Sequence, residues 1–136
     1  MRILSIDLGD VRTGIAISDK NEILASPVKT IEERNREDLV DKIIKIINEL
    51  KVEEIVLGLP KNMDGSEGES AKKARLFKEM LQKKSGLNVM LIDERGTTIS
   101  AHNYLNITDT KGKKRKNIID TVAATIILQN YLDSKK

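Results

Sequence analysis

The spacing of the hydrophobic residues changes along the chain, and this change most restricts what the chain can fold into. Up to Thr30 the hydrophobic residues form short runs: Ile3 to Leu8 is nearly all apolar, as in a central strand covered on both faces. Gly14 to Ser18 and Ile23 to Thr30 follow after short connections, which predicts three strands in an antiparallel meander. Pro27 cannot donate to a ladder, so the third strand is expected at an edge.

Helical spacing begins beyond residue 34. Asn35 is a candidate N-cap for a helix whose apolar face carries Leu39, Ile43, Ile47 and Leu50. A short buried strand, Ile55 to Leu57, comes next. Ser66 and Glu69 then have the spacing of a capping box for a second helix that ends near Gly86.

The remainder of the chain repeats this alternation. Val89 to Ile92 is predicted as a fifth strand, Thr97 or Thr98 as the cap of a helix reaching Leu105, and Ile118 to Leu132 as the last helix. The order β-β-β-α-β-α-β-α-α predicts one α/β domain spanning all 136 residues, with right-handed crossovers that place helices on the sheet faces. Functional residues in such sheets gather at the carboxyl ends of parallel strands.

Composition excludes several classes of protein. The chain has no Cys, so disulfides and Cys-ligated metals are impossible. His102 is the only histidine, and this leaves little support for Ser-His or Cys-His hydrolases. No apolar run approaches the roughly 18 residues of a membrane span, so we expect a cytoplasmic protein without membrane contact.

Acidic residues stand at three points where an apolar segment ends or turns: Asp7, the Asp93-Glu94 pair and Asp120. Mg²⁺ and Mn²⁺ prefer oxygen ligands, and two such ions about 4 Å apart can support phosphodiester hydrolysis. A single Asp is more often a surface, turn or capping residue than a ligand. The prediction of a metal site therefore depends on the fold gathering these acids.

The pattern around the acids indicates how they could meet. Adjacent residues of an extended segment point to opposite faces, so one of Asp93 and Glu94 is expected to face Asp7. The apolar run before them does not decide which one. On the last helix, Asp120 shares a face with alanines at three- and four-residue spacing, which would let the helix approach the sheet closely.

Basic residues are concentrated near the C-terminal end. Residues 1–110 carry 17 Lys and Arg against 19 Asp and Glu, a net −2, whereas residues 111–136 carry 7 against 2, a net +5. This distribution favours a nucleic-acid partner, with a solvated tail as the alternative. The segment includes four consecutive cations just before the helix with Asp120: Lys113, Lys114, Arg115 and Lys116. Aromatic residues make up only 2% of the chain, which favours recognition of backbone and shape over base stacking.

A further cation lies near the first acid. Gly9 and Gly14 bracket Arg12 between the first two strands, where the chain is expected to turn tightly and approach a ligand. Arg12 could there hold a phosphate, or be a solvated turn residue.

Four motifs together resemble a known family. They are Asp7-x-Gly9-x-x-Arg12-x-Gly14-x-Ala16, Gly58-Leu59-Pro60 with Gly65, Asp93-Glu94-Arg95-x-Thr97-Thr98-x-x-Ala101, and Lys116-x-x-x-Asp120-x-x-Ala123-Ala124. In this order they resemble the bacterial YqgF, or RuvX, family over essentially the whole chain. The resemblance implies an RNase H-like fold with sheet order 3-2-1-4-5. It also implies a metal-dependent nuclease that matures the 5′ end of pre-16S rRNA, with Holliday-junction resolution as the older proposal.

The resemblance assigns roles to individual residues. It makes Asp7, Glu94 (rather than Asp93) and Asp120 the catalytic carboxylates that hold Mg²⁺ or Mn²⁺. The residues implied to place substrate or the carboxylates are Arg12, Arg95, Thr97 and Thr98, and the cations Lys113, Lys114, Arg115 and Lys116 are expected to follow the nucleic-acid backbone. Gly96 departs from the family, which usually has a bulky apolar residue there, and glycine loosens the backbone beside Glu94. We expect residues 106–116 to be mobile without substrate.

These expectations define the partners and the alternatives. The expected partners are structured RNA or branched DNA together with ribosomal particles, and the chain is expected to be a monomer or a weak homodimer. The alternatives are a junction resolvase, a non-catalytic ribosome-assembly factor that binds nucleic acid, and an ATPase related to actin and sugar kinases. Length counts against the ATPase, because those enzymes close two such domains over ATP.

Overall fold

The computed structural model describes residues 1–62, 64–93 and 112–135, with the backbone alone for 112–119. The strands are β1 (Ile3–Asp7), β2 (Arg12–Ser18), β3 (Ala25–Glu32), β4 (Glu54–Leu59) and β5 (Val89–Asp93). The helices are α1 (Arg36–Leu50), α2 (Glu69–Ser85) and α3 (Gly112–Ser134). No helix in the described residues is long and apolar enough to cross a membrane.

The five strands form one mixed sheet in the order β3-β2-β1-β4-β5, which confirms the predicted topology. β1 pairs antiparallel with β2 and parallel with β4, and β4 pairs parallel with β5. The parallel pairs require long connections, which α1 and α2 provide. β3 is an edge strand and contains Pro27, as predicted.

The helices divide the hydrophobic core between the two faces of the sheet. Leu4 and Ile6 of β1 belong to the larger core, which includes the buried faces of α1 and α2. Ile3 belongs to the smaller core with the buried residues of α3. The strand alternates as a pleated strand must, so odd-numbered residues of β1 face α3. Ser5 follows this alternation: its fully buried hydroxyl donates to the carbonyl oxygen of Ala124 at 2.5 Å.

The first two helices are capped in different ways at their N-terminal ends. The Asn35 side chain accepts a hydrogen bond from the amide of Asp38 at 3.0 Å, so the predicted cap of α1 is confirmed. The predicted capping box of α2 is wrong, since the N-cap is Gly68 and it provides no side-chain hydrogen bond. The Ser66 hydroxyl donates instead to Asp64 at 2.6 Å within the preceding loop. α2 ends at Ser85 and is capped by Gly86, whose φ of 72° suits glycine.

The last helix begins earlier than predicted. α3 starts at Gly112 rather than Ile118, so the backbone of the four basic residues 113–116 is part of the helix that carries Asp120. Hydrophobic periodicity missed this turn because the residues before Ile118 are polar, and lysine and arginine are good helix formers. The helix predicted from Thr97 or Thr98 to Leu105 lies outside the described residues.

Candidate functional site

The candidate site lies at the carboxyl end of β1. Asp7 is the last residue of this strand and is partly buried. By alternation with Ile3 and Ser5, it lies on the face of the sheet that α3 covers. Its partner in the antiparallel ladder is Gly14 of β2. Directly opposed residues of such a pair have Cα atoms about 4.5 to 5.5 Å apart.

Gly14 brings α3 to this position. A Cβ atom on Gly14 would lie 1.9 Å from the carbonyl oxygen of Asp120 and 2.9 Å from the amide nitrogen of Thr121, so only glycine fits. The sequence interpretation gave Gly14 a role in a turn, but Gly14 lies within β2, where it allows the helix to touch the sheet. Ala123 and Ala124, fully buried on the next turn, keep this approach close. The main chain of Asp120 therefore packs directly on the ladder partner of Asp7.

Arg12 and Asp120 form an ion pair beside this contact. Arg12 Nε donates to Asp120 Oδ2 at 3.3 Å, and the side chains are 39% and 20% exposed respectively. Burial raises the pKa of the Asp120 carboxyl, and the charge and hydrogen bond of Arg12 only partly oppose this. A carboxylate in such surroundings is stabilised by additional positive charge, and a metal ion would supply that charge.

Asp93 lies on the other side of the sheet. It is paired with Leu59 of β4, and Leu59 belongs to the core under α1 and α2. Paired residues of adjacent strands share a face, so Asp93 and Asp7 are on opposite faces. This agrees with the preference for Glu94 over Asp93, but Glu94 itself is outside the described residues and its role stays a prediction.

Comparison with known proteins decides the family. The model of the RuvX family, described as Holliday junction resolvase, matches residues 1–134. The chain belongs to the RuvX family. A relative from Halothermothrix orenii is 46% identical over 133 residues, covering 98% of this chain and 95% of the relative. One from Clostridium tetani is 45% identical over 134 residues, covering 98% and 97%. Both are named "Putative pre-16S rRNA nuclease".

Solved structures establish the same fold independently of sequence. RuvC from T. thermophilus, in complex with a Holliday junction substrate, superposes with a TM-score of 0.62 at 9% identity, covering 99% of this chain and 95% of that one. The Fowlpox virus resolvase with Holliday junction DNA gives 0.56 at 15% identity, covering 99% of each chain. The RuvX chain thus has the RNase H-like fold of the RuvC resolvases. Its family also favours the nuclease interpretation over the ATPase.

The remaining predicted site residues divide into two groups. Arg95, Thr97 and Thr98 lie outside the described residues, so their roles stay predictions. The start of α3, one to two turns before Asp120, is formed by the backbone of Lys113, Lys114, Arg115 and Lys116, but their side chains are not described. In the described part of this RuvX chain, no group of three or more acidic or histidine side chains could hold a metal. The proposed metal site therefore depends on Glu94 as its third carboxylate.

Sequence reasoning missed a second charged group at the same sheet edge. Asp10, in the turn after β1, lies between Arg36 at the start of α1 and Lys73 on α2. Its carboxylate oxygen Oδ1 is 3.6 Å from Arg36 and 3.4 Å from Lys73. No local pattern joins three residues so far apart in the chain. The only signal was their common position at the carboxyl edge, where Asp10 follows β1 and both helices begin.

Proposed function

We propose that this protein is a divalent-metal-dependent nuclease that processes the 5′ end of pre-16S rRNA in the cytoplasm, acting on ribosomal precursor particles. The observation that carries the proposal is the junction of Asp7, Gly14 and Asp120, where two carboxylate residues from a strand and a helix meet through a glycine. The names of the two bacterial relatives supply the substrate.

The chemistry of the carboxylates suits Mg²⁺ or Mn²⁺. Both ions prefer oxygen ligands, and Asp7, Asp120 and Glu94 would provide them. Such ions, when bound, activate a water molecule and stabilise the leaving oxygen of the phosphodiester. The raised pKa of Asp120 supports this assignment, because burial penalises the charged carboxylate more than Arg12 stabilises it, and a bound metal ion would add the missing positive charge.

The other residues of the site orient the carboxylates and the substrate. Arg12 holds Asp120 through its Nε at 3.3 Å, and the remaining guanidinium nitrogens can donate to a phosphate. Ser5 fixes α3 to β1 one turn further along the helix. The basic start of α3 would extend the phosphate contacts beyond the cleavage position, and Arg95, Thr97 and Thr98 would complete the binding surface.

Replacement of Asp7 by Asn tests the proposal. The change keeps the shape of the side chain and removes a metal ligand, which should lower cleavage of a pre-16S rRNA fragment by about two to three orders of magnitude. Asp41→Asn is the matched control, since Asp41 is 63% exposed on α1 and pairs with Lys84. Equal cleavage by Asp7→Asn and the parent would contradict the metal-site assignment.

Holliday-junction resolution is the second candidate function. The description of the RuvX family and the fold shared with two junction-bound resolvases favour it. Resolution requires two paired cuts and therefore a symmetric dimer, whereas RNA maturation is possible for a monomer or a weak homodimer. Parallel cleavage assays with precursor RNA and four-way DNA, with the oligomeric state measured by sedimentation, distinguish the two. Salt-sensitive RNA binding without any metal-dependent cleavage would instead indicate a non-catalytic assembly factor.

A further inference from the structure

Two cations converge on a single oxygen atom in the turn after β1. Asp10 Oδ1 lies 3.6 Å from Arg36 Nη2 and 3.4 Å from Lys73 Nζ. We call these three residues the Asp10 cluster. One anionic oxygen held by an arginine and a lysine from different helices is also how a protein holds a phosphate oxygen. The Asp10 carboxylate therefore occupies a position suited to an external anion.

Arg36 is fixed in place before any ligand arrives. Its Nη1 donates to the carbonyl oxygen of Gly9 at 2.9 Å, and its guanidinium lies 6.0 Å from the centre of the Phe77 ring. The side chain is only 27% exposed. A cation held this way loses little conformational freedom on binding an anion, which favours a binding role.

Asp10 is held much more loosely than Arg36. Its side chain is 75% exposed, and ion pairs at exposed positions are weak and screened by salt. The cleft beneath it, lined by Leu8, Pro60 and Ser70, has a volume of about 30 Å³, which is room for only a few water molecules. A phosphate can reach the two cations only if the Asp10 carboxylate turns away toward solvent, and its exposure permits that movement.

The position of the cluster fits a polyanionic substrate. Leu8 packs against the core under α1 and α2, so the cluster lies on the opposite side of the β1 end from Arg12 and Asp120. Asp10 is three positions after Asp7 in the chain, so their Cα atoms are at most about 11 Å apart. A strand cut at Asp7 would carry a neighbouring phosphate past the cluster.

We propose that Arg36 and Lys73 form a second phosphate subsite, for a nucleic-acid phosphodiester next to the cleaved one, and that Asp10 is an internal competitor for it. The subsite rests on the proposed nuclease function, because a nucleic-acid strand must cross this edge. It extends the substrate path to the α1 and α2 side of the sheet. The Asp10 carboxylate weakens phosphate binding to Arg36 and Lys73. A nucleic-acid strand is therefore expected to contact this subsite only when it also binds on the opposite side of the sheet, at Asp7 and Asp120.

Binding measurements on charge variants test the subsite. Affinity for a labelled pre-16S rRNA fragment is measured in EDTA over a range of salt concentrations, so that metal-dependent cleavage does not interfere. Lys73→Gln should weaken binding by about 3- to 10-fold and reduce the slope of log affinity against log salt by roughly 0.7 to 0.9. Asp10→Asn should tighten binding several-fold, because it removes the competing charge but keeps the side-chain shape.

Lys72→Gln is the matched control. Lys72 is the adjacent residue on α2, 72% exposed and paired with Glu69 at 3.7 Å, so it carries the same charge outside the cluster. If Lys72→Gln and Lys73→Gln weaken binding equally, or if Asp10→Asn leaves affinity unchanged, the subsite does not exist. Thermal midpoints of all three variants should stay within a few degrees of the parent, which excludes misfolding as the cause.

Cleavage assays separate the subsite from the function on which it rests. If the parent cuts RNA and Lys73→Gln binds and cuts equally well, the subsite fails alone. If the binding pattern holds but the parent does not cut, the subsite stands and the nuclease function fails. If the parent binds no RNA in EDTA, the subsite is also wrong, because its two cations are in place without metal.

Discussion

Gly14 of β2 and Asp120 of α3 touch main chain to main chain, so closely that a Cβ on Gly14 would lie 1.9 Å from the Asp120 carbonyl oxygen. Because Gly14 is also the ladder partner of Asp7, this contact sets the separation between two acids that are 113 positions apart in the chain. Gly14 of the first sequence motif and Asp120 of the last motif are thus parts of the same contact between β2 and α3.

Gly14→Ala should destabilise the protein and disturb the site together. The added methyl group meets backbone atoms that can move only if the whole helix moves, and overpacking of this kind costs about 1 to 3 kcal/mol. Calorimetry should show a lower thermal midpoint, and cleavage should fall even where the protein is still folded. Gly68→Ala is the control, since a Cβ at Gly68 meets nothing closer than 3.9 Å. Equal effects of the two changes would contradict the packing role of Gly14.

Asp120→Asn should stabilise the metal-free protein at neutral pH. Burial raises the pKa of the Asp120 carboxyl, so the folded state holds the proton more tightly than the unfolded state does. The contribution of Asp120 to the free energy of unfolding is therefore fully present at a pH below the pKa of the unfolded state. It is lost as the pH rises through the higher pKa of the folded state. Asn at position 120 carries no charge, so this loss of stability does not occur in the variant. Arg12 then lacks its charged partner, but it is 39% exposed and can be solvated by water.

The pH dependence distinguishes this effect from a general change in packing. Urea unfolding in EDTA should show little difference between Asp120→Asn and the parent at acidic pH, where the carboxyl is protonated. The difference should open as pH rises to neutrality, and cleavage should be lost in the variant. A stability difference that is the same at every pH would refute the electrostatic explanation.

Much of the fold follows from short-range pattern in the sequence. The strands were predicted within a few residues, because runs such as Ile3 to Leu8 have no helical spacing, and Asn35 capped α1 as expected. The errors were local: Ser66 bonds within its loop rather than capping α2, and the polar start of α3 carried no hydrophobic signal. Helix propensity and the solvation of polar side chains decide where α2 and α3 begin, and the spacing of hydrophobic residues does not indicate these positions.

The candidate site was predictable only in part for a related reason. Acids at the ends of apolar segments could be found from the sequence, but the position of Asp93 on the opposite face from Asp7 follows only from its pairing with Leu59, and the role of Glu94 stays a prediction. The Asp10 cluster could not be predicted, because Arg36 and Lys73 meet Asp10 only after α1 and α2 have packed on the sheet. Long-range contacts between charged side chains leave no periodic pattern in the chain.

Ser5→Ala should loosen the seating of α3 with a modest loss of stability. The buried hydroxyl donates to the Ala124 carbonyl oxygen at 2.5 Å, and the loss of such a hydrogen bond costs about 0.5 to 1.5 kcal/mol. Cleavage should fall by more than the loss of folded protein explains, because Ala124 is one turn from Asp120 and the bond helps to position that carboxylate. Ser26→Ala, at an exposed position of the edge strand, should change neither property. An unchanged midpoint and unchanged cleavage in Ser5→Ala would show that this bond does not position the helix.

Metal binding should be measurable without any substrate. A Mg²⁺ or Mn²⁺ ion at the proposed site of Asp7, Asp120 and Glu94 would bind only the folded chain. Millimolar metal should therefore raise the free energy of unfolding by about 2.7 kcal/mol at a hundredfold excess over Kd, and the thermal midpoint should rise with it. Asp7→Asn and Glu94→Gln should each abolish the metal-induced rise, whereas Asp93→Asn should keep it, because Asp93 lies on the opposite face from Asp7. Asp41→Asn, remote on α1, should behave as the parent. If Asp93→Asn abolishes the rise and Glu94→Gln preserves it, the third ligand has been assigned to the wrong residue of the pair.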